Sequence, residues 1–355
     1  MRNSGIGGQA VMEGVMMRNK NKYAVACRKS DGEIVVDVKE THSITEKYKF
    51  LAWPFIRGTV NLIESMVIGI KTLTYSADFI DMDETEKEKK AKQTSLEKEG
   101  DDQQAASVEE ETAQKGDDEP KKETIMTPFM IFCTIALSLA LSIGLFFFLP
   151  VLVTEGVESL TGWDTAVATS VIEGVVRILI FVGYVLLISL LPDINRVFCY
   201  HGAEHKTINC IEHGLPLTVE NARASSKEHK RCGTSFLLIV MVISILVFSI
   251  VNCFPLYTGD VKIIKILVRF GVRLLLLPLV AGISYEFLKL AGRSNSKVMD
   301  ILSRPGLWMQ GLTTKEPDDD MLKCAIASVE AVFDWKTFLA EGESIAQKDA
   351  DSLTE

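Results

Sequence analysis

The chain has 355 residues, 47% of them hydrophobic and 24% charged, with a formal net charge of −9. That length allows two or three soluble domains, but no Asp, Glu, Lys or Arg occurs between Glu123 and Glu155, or between Arg231 and Asp260, which excludes a wholly soluble chain. The acidity is also local, because residues 81–124 hold 16 acidic and 8 basic side chains; the remainder is near neutral, no uniformly basic domain exists, and nucleic acid is not an expected partner.

Residues 1–80 read as a small cytoplasmic α+β unit. GIGGQAVMEGVMMR has closely spaced glycines and one carboxylate, Glu13, in apolar surroundings. Gly5, Gly7 and Gly8 fit tight turns beside a strand, or backbone amides turned toward an anion. They are no dinucleotide fingerprint, since no strand precedes them. QAVMEGVMMRN predicts one strand. YAVACR and EIVVDVK alternate around Lys29-Ser30-Asp31-Gly32 and predict a hairpin. Beyond Trp53-Pro54, Ile63, Met66, Val67, Ile70 and Leu73 recur at helical spacing. Such a helix lies in a membrane interface or packs on the hairpin sheet. Residues 81–124, rich in Glu, Lys, Asp and Gln, read as a disordered acidic linker.

Residues 125–290 read as a transmembrane domain, since about 20 apolar residues cross the hydrocarbon. Spans are predicted at 127–153, 166–191, 234–252 and roughly 263–285. The fold class is therefore a mainly α-helical polytopic membrane protein with about four transmembrane helices and a small N-terminal antiparallel β unit. No signal peptide is visible, so the first span serves as the targeting signal. Lys115, Lys121 and Lys122 precede span one. Arg196, Lys206, Arg223, Lys227, Lys230 and Arg231 lie between spans two and three. Lys289, Arg293, Lys297 and Arg304 follow span four. This asymmetry places both termini and the 192–233 loop in the cytoplasm; Lys262 and Lys265 are the exceptions. The seven cysteines then read as reduced thiols, without a disulfide framework.

In the 192–233 loop, Pro192 ends span two and Asp193 can cap a helix that stops at Gly214. Thr218 can cap a second, shorter helix. Residues 291–340 read as a cytoplasmic helical region after an exposed RPGLWMQGL stretch, and 341–355 as a loose tail.

YHGAEHK at 200–206 carries the chemistry. On a helix, His201 and His205 share one face, with Cβ atoms about 6 Å apart. Both imidazoles can grip one divalent ion, Zn2+ being the natural candidate, and Glu204 stands beside them as a general base. His-x-x-Glu-His is the reversed zincin pattern. A catalytic zinc needs a third protein ligand and an open position. His229 and Cys232, on the far flank of the loop, are the leading candidates, ahead of Cys210 and Glu212. Lys206 is an unwelcome charge beside such a site, and His213 lies one position off the face.

Charges also fall inside the spans: Glu173 and Arg177 in the second, Arg269 and Arg273 in the fourth. They pair with one another, or the surplus arginines hold an anion such as a lipid phosphate. The charge-free core of span four, 274–285, is short enough for a re-entrant segment.

GGQAVMEGVMMR, YHGAEHKTI and RCGTSFLLIVMVISILVFS, with SRPGLWMQGLTTKEPDDDM, together resemble the bacterial YqhQ family. The resemblance runs from Gly7 to about Phe333. The family is one of membrane proteins of undefined function, labelled by prediction as metal-dependent enzymes. It implies a metal at His201 and His205 with Glu204 beside them. The acidic stretch 81–124 and His213 stand outside its pattern.

The expectation is a metal-dependent, hydrolase-like enzyme acting at the cytoplasmic membrane surface on a lipid-linked or membrane-protein substrate. A non-enzymatic accessory or scaffold factor is the alternative, and a transporter the third.

Overall fold

The computed structural model describes residues 2–100, 128–162, 165–229, 231–254, 262–292 and 296–352. Strands β1 (Gly7–Val11), β2 (Gly14–Asn19), β3 (Lys22–Arg28) and β4 (Ile34–Glu40) form one antiparallel sheet in sequence order. The helices are α1 (Ile44–Lys47), α2 (Ile56–Gly100), α3 (Pro128–Ile143), α4 (Leu149–Thr161), α5 (Ala166–Ile188), α6 (Pro192–Glu212), α7 (Val219–Ala224), α8 (Gly233–Asn252), α9 (Lys262–Ala291), α10 (Lys297–Thr313), α11 (Asp319–Val332) and α12 (Trp335–Ser352). A 3-10 turn over Lys49–Ala52 precedes α2, and a π-helical turn over Gly144–Phe148 joins α3 to α4.

QAVMEGVMMRN forms two strands rather than one. The chain reverses at Met12-Glu13, where Glu13 adopts φ 47°. A non-glycine residue there costs about 1–2 kcal/mol. The turn is held because the Glu13 carboxylate receives both arms of Arg196 and the Tyr200 hydroxyl at 3.3 Å, all from α6. The second hairpin forms as expected, with Gly32 at φ 92°.

Side chains alternate across the sheet with period two. Val15, Met17 and Ala26 face α6 and α11, while Met16, Tyr23 and Val25 face Ile68 of α2. Two covered faces explain why β2 and β3 are nearly continuous apolar runs. The α11 side contributes Cys324 and Ser328, small enough for their Sγ and Oγ to reach the Ala26 and Ala24 carbonyls at 3.1 and 3.0 Å.

Helix α2 buries Ile68 on the sheet and sets Gly58 against Gly282 and Tyr285 of α9. Its Ile63, Met66, Val67, Ile70 and Leu73 stripe stays exposed. The helix continues to Gly100, through the first part of the stretch expected to be disordered linker; residues 101–124 lie outside the described residues. RPGLWMQGL is not an exposed stretch. It lies inside α10, which buries Gly306, Met309 and Gln310 along one face while Trp308 stays exposed. Helical backbone also covers 341–352, expected to be loose.

Among the described residues four helices are long and apolar enough to cross a membrane: Ala136–Thr161, Ala168–Ile188, Gly233–Val251 and Phe270–Ala291. Helix α9 is one continuous helix of 30 residues, about 45 Å long. Gly174 of α5 lets α8 approach, since a Cβ there would lie 2.2 Å from Ile245.

The charges inside these helices find one another. Glu173 takes both nitrogens of Arg273, one at 2.7 Å, and Arg177 at 2.7 Å. Arg177 also donates to the Phe146 carbonyl at 3.0 Å, within the π turn. The pairing expected for Glu173, Arg177 and Arg273 is therefore present; the Arg269 side chain lies outside the described residues. Removing one partner of such a group strands the others in low dielectric. Glu173→Ala should cost about 3–5 kcal/mol, read as a lowered melting temperature in detergent, whereas Val171→Ala on the exposed side of α5 should leave it nearly unchanged.

Candidate metal centre

Helix α6 starts at Pro192, which occupies its first turn in place of the cap expected from Asp193, and ends at His213 before Gly214 at φ 80°. Tyr200 is buried, as is every residue from Gly202 to Glu212. Two glycines allow that burial. A Cβ on Gly202 would lie 1.9 Å from the Lys315 carbonyl, so the segment after α10 runs directly over the helix. A Cβ on Gly8 would lie 2.8 Å from Glu204, so β1 presses on the opposite side.

The ligand-capable atoms of His201, His205 and Cys232 all lie within 4.8 Å of one another. His201 Nδ1 donates to the Thr313 carbonyl at 2.8 Å, and His205 Nδ1 to the Lys227 carbonyl at 2.6 Å. Each bond fixes the ring and leaves Nε2 as the nitrogen that faces the site, the one that would bind a metal once its proton is lost. His201 Nε2 is 3.2 Å from Cys232 Sγ.

Cys232 caps α8, and Sγ accepts the Thr234 amide at 3.4 Å. Burial alone would raise this thiol. The neighbouring His201 and His205 outweigh it and hold the thiol well below its ordinary range. Burial likewise opposes charge on His201, but the thiolate raises that imidazole to about 9. Sulfur is thus held in the ionised form that binds metals.

Glu204 lies between β1 and the histidines. Its carboxyl is pushed up, chiefly by burial, against the lowering pull of His201 and His205; the Gly8 amide donates to it. Its Oε2 is buried and has no hydrogen-bond partner among the described residues. A buried oxygen without a partner costs about 1–3 kcal/mol. Beside two imidazoles and a thiolate, it is the atom that a ligand in this space would satisfy. The donor set of two nitrogens and one sulfur suits zinc, with a fourth position left over.

His229 stands behind the triad. Its ring is 5.8 Å from that of His205, and its Nε2 faces Glu212 Oε2 at 3.4 Å. Glu212 is itself no candidate ligand here, because it accepts from the Ser4 amide and hydroxyl at 2.9 and 2.8 Å, and from Arg231. Cys210 turns away toward the Pro216 carbonyl, and His213 toward the Asn209 carbonyl. Glu13 serves the contact between sheet and helix and lies outside the triad.

The objection raised by Lys206 disappears. Its Nζ faces the other flank, donating to the Arg223 and Ser225 carbonyls at 2.8 and 3.0 Å and pairing with Glu316. Asn209 holds the Ser226 and Glu228 carbonyls at 2.7 and 2.9 Å. Side chains of α6 therefore hold five carbonyls between Arg223 and Glu228, and this fixes the return path that delivers Cys232.

Sequence reasoning missed Gln310. It is buried, accepts the His229 amide at 2.9 Å, and donates to the His229 carbonyl and Ser235 Oγ, each at 2.7 Å. The one available signal was an amide on the apolar face of the α10 pattern.

Residues 53–335 match the family described as protein of unknown function (DUF1385). The chain belongs to that family. It is also 35% identical over 333 residues to the uncharacterized protein YqhQ of Bacillus subtilis (strain 168), covering 91% of this chain and 90% of that one. No solved structure matches. The family span includes the triad, Gln310 and the carbonyl of Thr313, and excludes β1 with Gly8.

Glu212 gives a pH signature. Burial would raise its carboxyl, but His229, Ser4 and Arg231 hold it down to about 2. A depressed carboxylate adds stability above its unfolded value of about 4.3 that is lost as pH falls toward about 2, some 3 kcal/mol in all. Glu212→Gln should flatten the fall in stability between those pH values, followed by thermal melting in detergent.

Proposed function

We propose that this is a multi-pass membrane enzyme that uses a divalent metal, best matched by zinc, held by His201, His205 and Cys232. The observation that carries the reading is the convergence of these three side chains, each oriented by a neighbouring backbone group, beside the unpartnered oxygen of Glu204. Three protein ligands and an adjacent carboxyl are the composition of a catalytic site, whereas structural zinc sites close with four protein ligands. A purely bracing metal is disfavoured, because α6 already ties the 223–228 backbone through Lys206, His205 and Asn209.

A bound zinc would supply Lewis acidity. His201 and His205 orient it through their fixed rings. Glu204, whose carboxyl burial raises above its ordinary range, would exchange a proton with the reacting group as general acid or base. Hydrolysis of a lipid-linked or membrane-protein substrate is the reaction class this favours.

The lysine and arginine distribution supports a cytoplasmic position for both termini and the 192–233 loop. The exposed apolar stripe of α2 supports its lying in the membrane interface beside α9. The engagement of Glu173 by both Arg177 and Arg273 counts against a transporter reading.

Mass spectrometry of the detergent-purified protein should find about one zinc per chain, and His201→Ala or His205→Ala should remove it at least tenfold. Glu204→Gln should keep the metal and the melting temperature but lose activity on a cleavable lipid or peptide panel. A wild-type chain without metal after zinc loading overturns the proposal.

A further inference from the structure

A second site lies on the other face of β1. Because side chains alternate along a strand, Gly8 faces Glu204 while Gly7 and Gln9 face the opposite way. Gly7 pairs with Arg18 and Gln9 with Met16 in the sheet register, and all four line one cavity of about 460 Å³. That volume suits a small ligand or headgroup. The far wall is Tyr285, Lys289 and Gly292, at the end of α9. The apolar window of α9 runs to Ala291, so the cavity opens at the level where a bilayer gives way to its headgroups.

The charge is one-sided. Arg18, Lys20, Arg231 and Lys289 line the cavity, and no Asp or Glu does. Arg231 gives one nitrogen to Glu212, and Lys289 lies near enough to Glu286 to help lower its carboxyl. Among the described residues Arg18 and Lys20 have no ion pair. The remaining walls are apolar or neutral, including Ile68 of α2. Cations around a half-apolar hollow at the headgroup level recognise a phosphate carried on a lipid. A wall of glycine keeps it open: a Cβ on Gly7 would meet nothing within 4 Å.

We propose that the cavity between β1, β2 and the end of α9, walled by Arg18, Lys20, Arg231 and Lys289, binds the phosphate headgroup of an anionic phospholipid. The lipid seats the N-terminal sheet on the membrane face at which α9 ends. The cavity touches Gly8, whose other side meets Glu204, but takes in none of His201, His205 and Cys232, and the proposal stands whether or not a metal binds there.

The test uses the full-length protein in neutral detergent. Phosphatidylglycerol, phosphatidylcholine and inorganic phosphate are titrated separately, with retained lipid counted by native mass spectrometry and melting temperature followed. Phosphatidylglycerol should be retained and should raise the melting temperature, with at least tenfold weaker binding in R18Q/K20Q. Gly7→Leu, whose Cβ meets nothing within 4 Å and whose side chain intrudes on the hollow, should weaken binding similarly while still giving a cooperative lipid-free melt. Equal retention by wild type and both variants would place the lipid elsewhere and overturn the assignment. So would stabilisation by inorganic phosphate alone to the same degree, which would mark a free-anion site, or equal binding of phosphatidylcholine.

Discussion

The burial of α6 is the constraint from which the rest follows. This helix is not apolar: Glu204, His205, Lys206, Asn209 and Glu212 are all buried within three turns. Polar groups taken out of water cost several kcal/mol each unless they are paired. The surrounding elements are arranged as their partners. The N-terminal Ser4 meets Glu212, the 223–228 backbone meets Lys206, His205 and Asn209, and the end of α10 meets His201. Nearly every polar atom of the helix is satisfied in this way. Among its buried side-chain atoms, Glu204 Oε2 and Thr207 Oγ1 have no partner among the described residues, and the first of them lies beside the histidines.

The same constraint explains the architecture on either side of the membrane boundary. Helix α5 delivers α6, and the chain must return to α8 through a path that α6 itself pins. Cys232, the cap of α8, is the last residue before the chain enters an apolar helix. The thiolate position is thus referenced at once to the membrane helix and to the buried helix. Gln310 adds a third reference, joining the His229 backbone to Ser235 at the head of α8. Deeper in, Glu173 ties α5 to α9 through Arg273, so the bundle that carries both flanks of the site is itself locked by charge.

Much of this was legible in the sequence because it is local. Two charge-free runs exposed spans one and three, and long apolar runs interrupted by few charges exposed the other two, since hydrocarbon demands about 20 apolar residues. Asp31-Gly32 announced its hairpin through a turn that needs positive φ. His201 and His205 could be joined because four residues make one helical turn. The Glu13 turn was missed, because its strain is relieved only by Arg196 and Tyr200, more than 180 residues away. His229 and Cys232 could not be ranked for a like reason: the choice depends on Glu212 drawing the imidazole aside. Gly8, expected in a tight turn beside a strand, lies within β1, where its lack of a side chain makes room for Glu204; Gly202 does the same for Lys315.

The central claim is that two imidazoles and one thiolate make a metal site at the edge of the membrane. X-ray absorption at the zinc edge, on protein loaded with one equivalent of zinc, tests it most directly. The account predicts one sulfur at about 2.3 Å and two imidazole nitrogens at about 2.0–2.1 Å, with the sulfur lost in Cys232→Ser. A shell of oxygen and nitrogen alone in the wild type, unchanged by Cys232→Ser, would contradict it.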